Sequence, residues 1–204
     1  MRLSEVLDHT KLKHGEEQWM LSTRAKALVS FMQTHCSDII KVYNNDCKNG
    51  DFLFRGIRDA KSYILLGKSR DDRKPMDTSM EVQKIVDSSL AASGFKALRS
   101  NSIFCTGNLF AAENYGDTFV IFPVNGFSYT WSPKVRDLFN EVSLFDINKP
   151  IFNFAEQYKY KNSVGLADAI RMGCEILISG SYVALDYNHH GHSIKDILTA
   201  LGLE

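Results

Sequence analysis

Between Glu16 and His35 the apolar residues Trp19, Met20, Ala25, Ala27, Leu28, Phe31 and Met32 recur mostly three and four positions apart, with Ser, Thr and Lys between them. That period predicts an amphipathic helix. Together with a shorter helical run before it, the helix makes residues 1–50 a mainly α N-terminal extension. The turn-rich stretch Asn44-Asn45-Asp46-Cys47-Lys48-Asn49-Gly50-Asp51 closes it. The pattern then changes: Phe52-Leu53-Phe54 is a short apolar run stopped by Arg55-Gly56. It predicts a buried strand, and a glycine behind such a strand lets another group come close to the backbone.

Residues 68–77, KSRDDRKPMD, mix both charge signs with a proline, so an exposed, solvated loop is expected. Thr78 or Ser79 then caps a helix carrying Val82, Ile85, Val86 and Leu90, with a stop at Ser93-Gly94. From Thr118 to Trp131 two aromatic and β-branched runs flank Asn125-Gly126, the dipeptide of tight turns, which predicts a hairpin. Pro123 cannot donate to a ladder, which places its strand near an edge or at a bulge. A second hairpin is predicted about Gly180, between Glu175-Ile-Leu-Ile and Tyr182-Val-Ala-Leu185. Helices are expected over 134–142, 151–160, 164–172 and 193–201. Strand pairs with separate helices indicate an α+β fold, and residues 51–204 are read as one compact unit.

Composition narrows the function. The 204 residues are 44% hydrophobic and 24% charged, the values of an ordinary globular chain. Lys+Arg and Asp+Glu both number 24, so there is no field of one sign to gather nucleic acid or an anionic membrane. Lys68, Arg70, Arg73 and Lys74 are partly cancelled by Asp71, Asp72 and Asp77. Cys36, Cys47, Cys105 and Cys174 form no CxxC pair, and reduced thiols in a cytoplasm are the expectation. No run approaches the roughly 18 apolar residues of a membrane span. The beginning of the chain lacks an apolar core with a cleavage site, so export is not expected. His189, His190 and His192 with Asp186 lack metal-ligand spacing, and no metal site is expected.

The P-loop, dinucleotide-binding and esterase glycine motifs are all absent. The remaining candidates are polar residues at the ends of predicted buried strands. Arg55 closes one, where a guanidinium is suited to a phosphate or carboxylate, or simply to a local Asp. Glu175 opens another, beside three apolar residues. Between them the segment 99–116 runs from a short strand ending at Thr106, through Gly107-Asn108, into a helix with Phe110, Ala111 and Tyr115.

Phe54-Arg55-Gly56, Phe104-Cys105-Thr106-Gly107 followed by Ala111 or Ala112 and Tyr115, and Glu175-Ile-Leu-Ile-Ser-Gly180 together resemble the Arg–Ser–Glu class of mono-ADP-ribosyltransferases of bacteriophages and bacterial toxins. The order is that of the family, with 51 residues from Arg55 to Thr106 and 69 from there to Glu175. The resemblance covers about residues 52–185. It implies a pair of antiparallel sheets with helices, preceded here by the N-terminal helical segment. It further implies that Glu175 and Arg55 are catalytic, with Arg55, Gly56, Ser102, Phe104, Cys105, Thr106 and Tyr115 contacting NAD, the substrate.

Both serines of the family's Ser-Thr-Ser element are replaced, by Cys105 and Gly107, so the role of the first falls to Cys105, Thr106 or Ser102. Gly173 stands where arginine-modifying members carry a second Glu. The acceptor implied is therefore another protein group, a nucleic acid, or water in NAD hydrolysis. Phe104, Phe127 and Tyr129 are candidates to stack on nicotinamide. A phage-encoded host modifier acting in the host cytoplasm is the setting implied. The alternatives are a noncatalytic interaction protein on the same fold and a nucleic-acid-binding protein using the basic loop.

Overall fold

The computed structural model describes residues 23–48, 50–75, 79–136, 138, 153–187 and 192–203. The fold is α+β, with the helices and strands interspersed along the chain. Within one group of strands the neighbours run Ile64–Lys68, Ser181–Asp186, Asp117–Pro123, Phe54–Ile57, and within another Ile103–Thr106, Glu175–Ser179, Ser128–Trp131, Lys161–Asn162. Two compact units share the stretch read from sequence as one. The first takes the chain up to Gly67, Leu109–Asn125 and the chain from Tyr182; the second takes Lys68–Asn108 and Gly126–Ser181.

In the first unit, helices α1 (Thr23–His35) and α2 (Ser37–Asn45) accompany strands β1 (Phe54–Ile57), β2 (Ile64–Lys68), β4 (Asp117–Pro123) and β8 (Ser181–Asp186). Helices α4 (Leu109–Glu113) and α7 (His192–Ala200) belong to it too. Its core centres on β4, whose Phe119, Val120, Ile121 and Phe122 are wholly buried. β4 pairs with β1 (Phe54↔Val120) and with β8 (Val120↔Leu185), both antiparallel.

The N-terminal helices belong to this core. Leu28, Met32, Ile39 and Tyr43 are buried. The Tyr43 hydroxyl donates to the Ile121 carbonyl (2.7 Å) and accepts from the Leu53 amide (3.2 Å), and its ring meets Phe52 and Phe122 edge-on. The helical run expected before Thr23, with Trp19 and Met20, lies outside the described residues.

In the second unit, β3 (Ile103–Thr106), β7 (Glu175–Ser179), β5 (Ser128–Trp131) and β6 (Lys161–Asn162) form successive antiparallel pairs. Helices α3 (Met80–Ala92), α5 (Phe154–Gln157) and α6 (Leu166–Met172) complete it. Ser79 caps α3, its hydroxyl accepting from the Val82 amide at 3.2 Å, and Gly94 follows the helix at φ +81°. Val82, Val86 and Leu90 bury themselves with Leu138, Phe154, Ala155 and Leu177. The helix predicted over 134–142 falls largely outside the described residues. Those over 151–160 and 164–172 correspond to the shorter α5 and α6.

Neither predicted hairpin forms. β4 pairs with β8 and β5 pairs with β7, so the strands flanking Asn125-Gly126 go to different units, as do those flanking Gly180. Local bonding explains the first case. The Asn125 amide group donates to the carbonyl of Thr34 (3.2 Å) and the hydroxyl of Ser37 (2.9 Å), while its Oδ1 accepts from the Asp38 amide (3.0 Å). The residue is committed to the α1–α2 junction. At the second, Gly180 exchanges two bonds with Ser69, its amide donating to the Ser69 hydroxyl and its carbonyl accepting from the Ser69 amide. The strand of Pro123 is flanked on both sides, but its pairing with β1 has already ended at Val120.

Among the described residues no helix is long and apolar enough to cross a membrane. All four cysteines are free thiols, and burial pushes that of Cys36 up to about 12.

Candidate functional site

Glu175 stands where α6 gives way to β7. The helix stops because Gly173 takes the left-handed conformation at φ +64°, its amide bonding the Ile170 carbonyl at 2.9 Å, and the Cys174 amide returns to Ala169 at 3.1 Å. A side chain at 173 would be strained in that backbone and would press on Asn108 Cβ at 3.2 Å. A glycine at 173 thus has a local structural cause.

Across the β3–β7 ladder Thr106 faces Glu175 and Phe104 faces Leu177. Side chains of directly opposed residues lie on one face of a sheet. Thr106, Phe104 and Glu175 therefore share a face, whereas Cys105, opposite Ile176, lies on the other and is buried. Tyr129, opposite Ile178, is also on that second face, whereas Phe104 is on the side of Glu175. The Thr106 hydroxyl donates to the Gly173 carbonyl and accepts from the Asn108 amide, both at 3.1 Å. Ser102 is 1% exposed, and its hydroxyl donates to Asn101 Oδ1 at 3.2 Å.

The Glu175 carboxylate receives a hydrogen bond from Arg99, forming an ion pair whose side chains are 14% and 8% exposed. Arg99 opens a single 3-10 turn, Arg99–Asn101, after the Ala97-Leu98 approach. Asp87 on α3 anchors that turn: its carboxylate accepts from the amides of Arg99 (2.7 Å) and Ser100 (3.1 Å). The Arg99 guanidinium carbon lies 4.5 Å from the centre of the Phe104 ring, and that of Arg73 lies 3.7 Å from it. Burial first, and the nearby Glu175 carboxylate second, push the Tyr160 phenol above its ordinary range, with Arg99 opposing.

Arg73 corrects the expectation of a purely solvated 68–77 loop. Its amide bonds the Ser100 carbonyl (2.9 Å), its guanidinium donates to the Ser102 carbonyl (3.2 Å), and its own carbonyl accepts from Gln83 (2.9 Å). The exposed part of the loop holds an Arg70–Asp72 ion pair at 3.0 Å.

In the first unit, Arg55 faces Phe119 across β1–β4, and Gly56 lies tight under α4. A Cβ added at Gly56 would sit 2.2 Å from the Ala112 carbonyl oxygen and 2.7 Å from Tyr115 Cβ, the expected close approach, although the strand runs over Phe54–Ile57 so that Arg55 and Gly56 lie inside it and do not close it. Tyr115 is 49% exposed. The sequence candidates thus fall into two groups: Arg55, Gly56 and Tyr115 in the first unit, and Ser102, Phe104, Cys105, Thr106 and Glu175 in the second.

Sequence reasoning missed Arg99, Asp87 and Tyr160, and placed Arg73 only in the partly cancelled basic loop. Nothing local marked Asp87 or Arg99, which follow the apolar pairs Ile85-Val86 and Ala97-Leu98 and stand twelve positions apart. An open depression of about 500 Å³ lined by Lys84, Ile85, Ser88, Ala92 and Asn153 contains none of the candidates. Among the described residues there is no group of three metal-ligating side chains, and His189 and His190 lie outside them.

A strand-end carboxylate bonded to a buried guanidinium, beside a hydroxyl and an aromatic ring, is suited to stabilising positive charge that develops on a bound ligand. Compared with known protein families, with curated proteins and with solved structures, the chain finds no match.

Proposed function

We propose that the protein is an NAD-dependent mono-ADP-ribosyltransferase with an ADP-ribosyltransferase-like fold, acting in a cytoplasm on a macromolecular acceptor. The observation that carries this reading is the register of Thr106 against Glu175, which joins on one sheet face two of the three motifs whose order suggested the family. The tight packing of Gly56 beneath α4 supports the third, since it fixes the backbone of β1 next to Arg55.

The chemistry follows from the residue types. The bond between nicotinamide and ribose breaks with its electron pair leaving on nicotinamide, and positive charge spreads over the ribose carbon and ring oxygen. Glu175 accepts a hydrogen bond from a ribose hydroxyl and stabilises that charge as it forms. Arg55 binds the phosphate or ribose of NAD. The acceptor's nucleophile attacks the ribose carbon and loses its proton. With glycine at 173 forced by the helix stop, arginine is the acceptor least supported, and another protein group, a nucleic acid or water is favoured.

The test is incubation of the protein with NAD labelled in its adenylate part, with and without cell lysate, reading free nicotinamide and labelled macromolecules. Nicotinamide release with label on one class of macromolecule supports the reading; no release under any condition refutes it. The replacement of both motif serines favours, as the second reading, a noncatalytic interaction protein on the same fold, and that outcome is the one it predicts.

A further inference from the structure

We infer that Arg99 is a positioning residue for the reaction, the group that holds the Glu175 carboxylate in place and aimed. This rests on the transferase reading. Three observations carry it. Arg99 is 7% exposed and donates directly to Glu175, whose strand it does not share. The backbone from which Arg99 projects is fixed by both oxygens of Asp87, so the guanidinium is held from behind as well as in front. Thr106, the hydroxyl directly opposite Glu175, spends its bonds on Gly173 and Asn108.

A purely structural role explains the pair less well. Buried ion pairs seldom add net stability over apolar residues of similar size. Here the buried Arg99 Nε finds no hydrogen-bond partner among the described residues, a further cost that a core built only for stability would avoid. The flanking ring of Phe104 accepts the face of the guanidinium instead, and Arg73 approaches the same ring. The arrangement keeps a negative charge in a half-dry place and restricts its orientation, which is what a carboxylate acting only in the transition state requires.

The experiment compares nicotinamide release by the full chain and by Arg99→Gln, Arg99→Lys and Glu175→Gln, with thermal unfolding recorded for each. We expect Arg99→Gln to lower kcat on the order of 10²-fold with KM within about twofold, the pattern of an interaction used in the transition state. Arg99→Lys, which keeps the charge on a shorter stem, should fall about tenfold in kcat. If Arg99→Gln does not fold, Arg99→Lys decides alone, and wild-type kcat in that variant overturns the inference. Wild-type kcat in a folded Arg99→Gln overturns it too, as does a loss carried by KM. Release that is lost in Glu175→Gln but unaltered in Arg99→Gln removes this inference and leaves the transferase reading standing. Absence of release by the unaltered chain removes both.

Discussion

Thr106 and Glu175 occupy directly opposed positions on β3 and β7, yet the threonine hydroxyl turns along its own strand end to the Gly173 carbonyl and the Asn108 amide. Its bonds join the start of β7 to the turn that leaves β3. Thr106→Val should therefore lower stability by about 1 kcal/mol, with Thr106→Ser close to wild type, because a hydroxyl is what the two partners require. Urea denaturation of the three proteins checks this.

Substitutions at the two proposed catalytic residues should separate in kinetics. Glu175→Gln keeps shape and removes charge, so kcat should fall on the order of 10²-fold or more with little change in KM. Arg55→Ala should raise KM, since a phosphate or ribose contact already exists in the ground state. Steady-state nicotinamide release reads both, and near-full activity in Glu175→Gln would refute the assignment.

Two glycines are indispensable for steric reasons. A Cβ at Gly107 would lie 1.8 Å from the Ile170 carbonyl oxygen, and one at Gly56 would lie 2.2 Å from that of Ala112. Backbone cannot yield as a flexible side chain does. Alanine at either position should cost about 1–3 kcal/mol or more, seen as a lowered denaturation midpoint.

Stability should decline in alkali. The Cys36 thiol is raised by burial from 9.0 to about 12, and burial also raises Cys174, Tyr129 and Tyr160. Above pH 9 the unfolded chain loses a proton from Cys36 that the folded chain retains, so unfolding is favoured increasingly up to about pH 12. The loss of unfolding free energy between pH 8 and 11 should be smaller in Cys36→Ala by about 1–3 kcal/mol. Urea titrations at the two pH values measure it.

What the sequence revealed depended on how local each signal was. The Ser79 cap, the Gly94 stop and the strand positions around Val120 and Ile178 follow from short-range chemistry and were legible. Strand partners were not. Asn125-Gly126 and Gly180 are real turns, but nothing near them in sequence says that Thr34, Ser37 and Ser69 take up their hydrogen bonds. The same holds at the site. Glu175 stood out as an acidic residue against apolar neighbours, while its partner Arg99 lies 76 positions away in a polar segment with no periodicity to mark it.

The exchange of partners between the two predicted hairpins has a consequence for biosynthesis. β4 must wait for β8, with Val120 paired to Leu185 some 65 residues later, before the first unit can close its sheet. A chain emerging from a ribosome therefore exposes the apolar run from Phe119 to Phe122 until residues 181–186 have appeared. Such long-range pairing slows folding and prolongs the time in which aggregation competes. A chain cut before residue 181 would leave β4 with an open edge, so such truncated products should be insoluble rather than partly functional.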